Sequence, residues 1–138
     1  MLRYLLDTDI CSYAIKHKEA RLLRRIREGL IAEEIAISVI TRGELLYGLA
    51  LLPGATSLAR AVHAFLHTVP RLDWNKEAAN CYAPLRASQK VNGNPICYMD
   101  TQIAAHALAE NLILVTNNER HYGRINGLQL ANWSLSDF

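Results

Sequence analysis

A short apolar run leads directly into two acids in the stretch Leu2-Arg3-Tyr4-Leu5-Leu6-Asp7-Thr8-Asp9. Its apolar part, Leu2 to Leu6, has the length of a buried β-strand. Further runs of this kind follow at Ile35 to Val39, Leu112 to Val115 and Leu128 to Leu130, with a weaker one at Val69 to Leu72. Helical patterns separate them, and this alternation is typical of a parallel sheet covered by helices on its faces. We therefore predict an α/β fold.

The predicted helices cover residues 19–30, 41–51, 55–67, 75–91 and 100–110. Turn residues break the chain between them at Pro53-Gly54 and Gly93-Asn94-Pro95. The first helix has a basic side made of Arg21, Arg24, Arg25 and Arg27. A solvated helix face is the simpler interpretation, and contact with phosphate groups or with a protein partner is the alternative.

Composition restricts the class of protein. The chain has 138 residues, 51% of them apolar and 20% charged, which favours one packed domain over residues 1–138 and excludes a disordered tail. Fifteen Lys and Arg against thirteen Asp and Glu give a net charge of +2, which permits contact with nucleic acid without requiring it. Three cysteines without paired spacing, and no apolar stretch of about 18 residues, predict a cytoplasmic protein.

Three acids follow predicted strands or begin predicted helices. Asp7 follows the first strand directly, and the crevice beyond the carboxyl ends of parallel strands is where ligands bind. Glu44 stands in Thr41-Arg42-Gly43-Glu44, which also has the form of a capping box with Thr41 as N-cap. Asp100 precedes a helix rich in alanine and could be its N-cap. For Asp9 an N-cap role is the favoured interpretation.

Capping explains these acids singly but not as a set. Clustered carboxylates repel one another unless a cation lies between them, and Mg²⁺ or Mn²⁺ prefers such oxygen ligands. The chemistry that this pattern predicts is hydrolysis at a phosphoryl group.

Four stretches in order resemble the PIN-domain ribonuclease toxins of the VapC type. They are Leu5-Leu6-Asp7-Thr8-Asp9, Ser38-Val39-Ile40-Thr41-Arg42-Gly43-Glu44-Leu45-Leu46-Tyr47-Gly48, Pro95-Ile96-Cys97-Tyr98-Met99-Asp100-Thr101-Gln102-Ile103-Ala104-Ala105-His106-Ala107 and Val115-Thr116-Asn117-Asn118. The resemblance covers nearly the whole chain, to Asn132-Trp133.

The resemblance implies a three-layer α/β/α domain and a Mg²⁺-dependent endoribonuclease that cuts structured RNA, with transfer RNA as the expected class. It also implies neutralisation by a VapB-type antitoxin and a homodimer within the toxin–antitoxin complex. Carried over by motif, Asp7 and Asp100 are the principal metal ligands and Glu44 is the third acid. Asn118 stands at the fourth catalytic position, where many relatives carry Asp.

Two other functions remain open at this point. Asp7-Thr8-Asp9 also imitates the opening of haloacid-dehalogenase-type phosphatases, in which the first acid is the nucleophile and the second a general acid. Alternatively, the chain is an inactive PIN-like module that binds RNA or a partner, although its three acids argue against this. Tyr98, close to Asp100, is expected either to stack on a base or to pack in the core.

Overall fold

The computed structural model describes residues 1–93 and 96–134. Five parallel strands form one sheet in the order β3-β2-β1-β4-β5. The strands are β1 (Tyr4–Leu6), β2 (Ile35–Ser38), β3 (Arg71–Leu72), β4 (Ile113–Val115) and β5 (Leu130–Ala131). All five strands are present, although the last is Leu130–Ala131 where the sequence predicted Leu128 to Leu130, and the weak third one is a two-residue edge strand.

Seven helices surround the sheet within the described part of the chain. They are α1 (Thr8–His17), α2 (Ala20–Ile31), α3 (Val39–Ala50), α4 (Thr56–Thr68), α5 (Lys76–Val91), α6 (Tyr98–Glu110) and α7 (Glu119–Tyr122). The helices expected at 19–30, 55–67 and 75–91 are confirmed to within one residue at each end. Of the second predicted break, Asn94 and Pro95 lie outside the described residues.

The side chains of the sheet alternate between two cores, one on each face. Leu6 packs in a core with residues of α1, α2 and α4, whereas Leu5 packs in the other with residues of α6 and α7. Burial on both faces explains why the strands are continuous apolar runs. The result is the three-layer α/β/α arrangement. No described helix is long and apolar enough to cross a membrane.

The register of the sheet aligns the ends of its three central strands. Leu6 is paired with Ile37 on one side and with Val115 on the other, all in parallel. The residues that follow these strands therefore emerge side by side at the carboxyl edge of the sheet.

A buried hydrogen bond joins α6 to the start of α3. His106 Nδ1 lies 2.9 Å from Ser38 Oγ, and both residues are fully buried. Ser38 is also the N-cap of α3, since its hydroxyl accepts a hydrogen bond from the Ile40 amide at 3.1 Å. This pair fixes the helix that carries Glu44 against the helix that carries Asp100.

We expect Ser38→Ala to lower the free energy of unfolding by about 1–3 kcal/mol, because it leaves a buried imidazole nitrogen unpaired and removes a helix cap. Urea unfolding followed by circular dichroism measures the loss. Ser57→Ala, at an exposed serine of α4, is the matched control. Equal stability of the two variants would show that the buried hydrogen bond contributes nothing.

Candidate active site

Asp7 is the most deeply buried of the candidate acids. It follows β1, is only 1% exposed and is the N-cap of α1, where its Oδ1 accepts a hydrogen bond from the Ile10 amide at 2.8 Å. Its own amide donates to the Val115 carbonyl at 3.0 Å. The N-cap role expected for Asp9 is therefore wrong, because Asp7 is the residue with the extended backbone that precedes the helix.

Burial raises the pKa of the Asp7 carboxyl group to about 7. Hydrogen bonds from the Thr116 hydroxyl and the Ile10 amide favour the charged form, whereas the nearby carboxylates of Asp9 and Asp100 disfavour it. The desolvation effect is larger than the two hydrogen bonds, so the group holds its proton to near-neutral pH.

Glu44 lies in the second turn of α3 and is not part of a capping box. The helix begins at Val39 with Ser38 as its cap, earlier in the chain than the pattern predicts, so Thr41 is inside the helix. The Glu44 carboxylate instead accepts a hydrogen bond of 2.6 Å from the Thr8 hydroxyl, which also lies 3.0 Å from Thr41 Oγ1. Burial raises the pKa of Glu44.

Asp100 is likewise not a cap, because α6 begins at Tyr98 after Cys97. Its Oδ2 lies 2.9 Å from Nε2 of His121, and it accepts a hydrogen bond from the buried Tyr122 hydroxyl. Burial, followed by the charges of the nearby acids, raises the pKa of Tyr122, so its phenol stays a donor. Two residues of the short helix after β4 thus orient an acid of α6.

The acids lie close enough to change one another's protonation. Asp100 raises the pKa of Asp7, Asp9 and Glu44, in each case after the larger effect of burial, and Asp9 also acts on Glu44. The three acids singled out in the sequence therefore share one crevice at the carboxyl edge of the sheet. Asp9 joins them.

The crevice has the chemistry of a divalent-cation site. The Oδ2 atom of Asp7 is buried and finds no hydrogen-bond donor within normal distance among the described residues. A buried carboxylate oxygen without a donor is suited to a cation. As the side chains stand in residues 1–93 and 96–134, no three His, Cys, Asp or Glu groups are arranged to hold an ion together. Coordination by Asp7, Glu44 and Asp100 therefore requires rotation of at least one of these side chains.

The remaining sequence candidates lie at or beyond the edge of the crevice. The Asn118 side chain is exposed and lines a cavity with His121, whereas the backbone N–H of Asn118 donates a hydrogen bond to Thr116 Oγ1 at 3.0 Å. Tyr98 is 52% exposed, so the core interpretation is wrong, and the Arg86 guanidinium lies over its ring at 5.2 Å.

The basic side of α2 lies away from the crevice, because Arg25 lines a cavity with Arg3 and Tyr4 at the amino end of β1, whereas the crevice is at the carboxyl edge of the sheet. Arg24, Arg25 and Arg27 are exposed, and Arg25 also lies over the ring of Trp133 at 4.6 Å.

Sequence reasoning missed Thr8, His121 and Tyr122 as contributors to the crevice, and it favoured an N-cap role for Asp9. Thr8 and Asp9 stand beside Asp7 in the first motif, and their position in the first turn of α1 was the available signal. Nothing in the spacing identifies His121, because its contact with Asp100 joins residues that are 21 positions apart.

Without a metal ion, the stability of the protein should fall as the pH rises. The pKa of an aspartate carboxyl group is 3.8 in a free side chain, whereas that of Asp7 is about 7 in the fold, so the folded chain binds this proton more tightly. The contribution is complete below about pH 4 and is lost as the pH rises through about 7, by at most about 4 kcal/mol. The raised pKa values of Asp9 and Glu44 act in the same direction.

Urea unfolding in a chelator from about pH 4 to about pH 8 measures this dependence. Because other groups titrate in the same range, the decisive quantity is the difference between the parent protein and Asp7→Asn, which lacks the titrating group. A difference that stays constant with pH would contradict the raised pKa.

Comparison with known proteins identifies the family of the chain. The family model of the PIN domain matches residues 4–127. A "tRNA(fMet)-specific endonuclease VapC" from Shigella flexneri is 35% identical over 134 residues, covering 97% of this chain and 100% of that protein. Among solved structures, VapBC2 from Rickettsia felis bound to a promoter DNA fragment matches with a TM-score of 0.89 at 33% identity, over 96% of this chain and 100% of that chain. DNA-bound VapBC from Salmonella typhimurium gives 0.90 at 32%, over 96% and 99%.

The fold is that of a PIN domain, and the chain belongs to that family. Because its relatives at this identity are VapC ribonucleases along nearly their full length, it belongs to the VapC branch. This membership excludes the phosphatase interpretation of Asp7 and Asp9.

Proposed function

We propose that this chain is a Mg²⁺-dependent endoribonuclease, with Mn²⁺ as a substitute, and the toxin of a toxin–antitoxin pair. The observation that carries the proposal is the convergence of Asp7, Glu44 and Asp100 on one crevice in a chain of the VapC branch. Retention of all three acids argues against an inactive module that only binds RNA.

Each of these acids has a role in the proposed reaction. Asp7 and Asp100 are the principal metal ligands, Glu44 is the third, and Asn118 completes the catalytic set. A divalent ion, when bound, supplies positive charge to the phosphoryl group and activates the water that attacks it. The chain's own contribution is orientation, because Thr8 holds Glu44 while His121 and Tyr122 hold Asp100.

Structured RNA is the proposed substrate, with transfer RNA as its class. The support is the Shigella flexneri relative, whose name states activity on tRNA(fMet), and its identity to this chain along 97% of the length. We assign the action to the cytoplasm, where transfer RNA is found, and the free thiols of Cys11, Cys81 and Cys97 are consistent with a reducing compartment.

The proposed partner is a VapB-type antitoxin, bound to a homodimer of this chain. An apolar groove of about 380 Å³ between α1, α3 and α4 is suited to it, and Leu51 and Leu52 stand exposed at its rim. Asp9 and Glu44 line the same groove, so a docked segment with a basic side chain would reach the acids and neutralise them.

Incubation of the purified protein with transfer RNA tests the proposed activity. We expect fragments in Mg²⁺ or Mn²⁺ and none in EDTA, no release of p-nitrophenol from p-nitrophenyl phosphate, and growth arrest on expression without the antitoxin. If the RNA stays intact in both metals, the chain is a module that only binds RNA or a partner. Cleavage that persists in EDTA would show that the reaction does not need a divalent metal ion.

Asn118→Asp is expected to lower the metal concentration that half-maximal cleavage requires. A fourth carboxylate near Asp100 and His121 adds negative charge, which increases the affinity of the crevice for a divalent cation. Without metal, repulsion between the carboxylates lowers the free energy of unfolding. Titration of the melting temperature with Mn²⁺ measures the same change without RNA, and Asn80→Asp, at an exposed asparagine of α5, is a matched control. Equal metal dependence of the parent and Asn118→Asp would put Asn118 outside the metal site.

A further inference from the structure

A second cavity adjoins the acidic crevice on the α5 and α7 side of the sheet. Its volume is about 640 Å³, within the range of about 300–1,000 Å³ that is usual for ligand sites. One wall is the second half of α5, and the other is the segment 118–126 around α7. Of its lining residues, Asn118 and His121 belong to the proposed catalytic site and the others have no role in the proposed reaction. We call this space the α5–α7 cavity.

His121 connects the α5–α7 cavity to the crevice. Its side chain lines the cavity, and its Nε2 atom lies 2.9 Å from Oδ2 of Asp100. A molecule in the cavity is therefore separated from a proposed metal ligand by a single side chain. If the phosphate that is cut lies at Asp100, the cavity is within reach of the adjoining part of the same substrate.

The charge of the cavity is suited to an anion. Arg120 and Arg124 line it, both are exposed, and neither forms an ion pair with any carboxylate of the described chain. Among its described lining residues there is no Asp or Glu. This wall is therefore cationic, in contrast to the acidic crevice beside it, and guanidinium groups bind phosphate through paired hydrogen bonds.

The other lining groups are suited to a nucleobase. Leu85, Ile96 and Ile125 are partly buried members of the adjoining core and give the cavity an apolar surface. Side-chain amides stand beside them, including those of Gln89 and Asn126. Proteins recognise unpaired RNA bases by apolar contact with the ring and by hydrogen bonds to its edge.

We propose that the α5–α7 cavity binds one unpaired nucleotide of the RNA substrate next to the phosphate that is cut, with the backbone phosphate on Arg120 and Arg124. The inference rests on the proposed ribonuclease function and adds a substrate subsite to it. By binding this nucleotide, the cavity selects which single-stranded position of a folded RNA enters the crevice.

Arg120→Gln and Arg124→Gln test the subsite in cleavage assays at saturating Mg²⁺. We expect each to raise KM for RNA about tenfold with little change in kcat, since each removes a charge-assisted contact to substrate. Each should also reduce the salt dependence of binding by about 0.7 in the logarithmic slope. Arg60→Gln removes the same charge from the exposed surface of α4, which packs in the other core, and should change neither quantity.

A binding experiment supplies a readout that needs no cleavage. Glu44→Gln protein is irradiated with a short single-stranded RNA that contains 4-thiouridine, and the crosslinked peptides are identified. We expect crosslinks within residues 85–92 or 118–126, lost in the double variant of Arg120 and Arg124.

The outcomes separate the two proposals. If RNA is cut and all arginine variants behave as Arg60→Gln, the subsite is wrong and the ribonuclease function stands. If RNA is not cut but crosslinks to the α5–α7 cavity, the subsite stands as an RNA-binding site and the proposed reaction fails. If RNA is neither cut nor crosslinked at the cavity, both fail.

Discussion

Asp7→Asn should abolish RNA cleavage and growth arrest while making the metal-free protein more stable near pH 8. Activity falls because the substitution removes a negatively charged ligand from the crevice, and the expected loss is roughly a hundredfold or more, since even partners of ligands account for 10–100-fold effects. Stability rises because Asp7 is buried with its pKa raised to about 7, so near pH 8 the folded chain must hold an unfavourable charge.

The fold should survive this substitution because Asn is also a good N-cap and can accept the hydrogen bond from Ile10. Cleavage of transfer RNA in Mg²⁺ and thermal unfolding in EDTA give the two measurements. Added Mn²⁺ should raise the melting temperature of the parent protein and not that of Asp7→Asn. Asp7→Ala is a second variant. It removes the N-cap of α1 as well as the charge, whereas Asp7→Asn removes only the charge. Parental cleavage by Asp7→Asn would remove Asp7 from the ligand set.

Glu44→Gln should reduce cleavage by roughly 10²- to 10⁴-fold, the range for loss of a catalytic carboxylate, with the free energy of unfolding changed by about 0.5 kcal/mol or less. The amide oxygen can still accept the hydrogen bond from Thr8, so the local packing persists. What is lost is the negative charge that acts with Asp100 in the crevice.

Glu28→Gln is the matched control for this substitution, because it makes the same chemical change on the exposed surface of α2. It should leave cleavage at the parental rate. If Glu44→Gln remained fully active and lost only stability, the role of Glu44 would be limited to its hydrogen bond with Thr8.

The sequence determined the sheet because burial on both faces requires uninterrupted apolar runs, which are visible without tertiary information. It also determined the position of Asp7, since a residue directly after a parallel strand emerges at the ligand-binding edge whatever the rest of the chain does. The motifs around Glu44 and Asp100 indicated the family, which is confirmed.

The tertiary structure decided what each polar side chain does. Thr41, Asp9 and Asp100 all fit local capping patterns, yet Asp7 and Ser38 cap the helices α1 and α3, and α6 begins without a side-chain cap. Capping preferences are worth about 1 kcal/mol, so the packing of whole helices against the sheet overrides them.

The contacts that orient the acids were decided by tertiary structure alone. Thr8 is 36 positions from Glu44, and His121 is 21 positions from Asp100, so no local pattern connects either pair. The α5–α7 cavity has the same origin, since its walls come from segments on either side of α6. Local sequence specifies which residues leave the strands, whereas the packing of distant helices specifies which side chains meet there, because contact depends on the whole path of the chain.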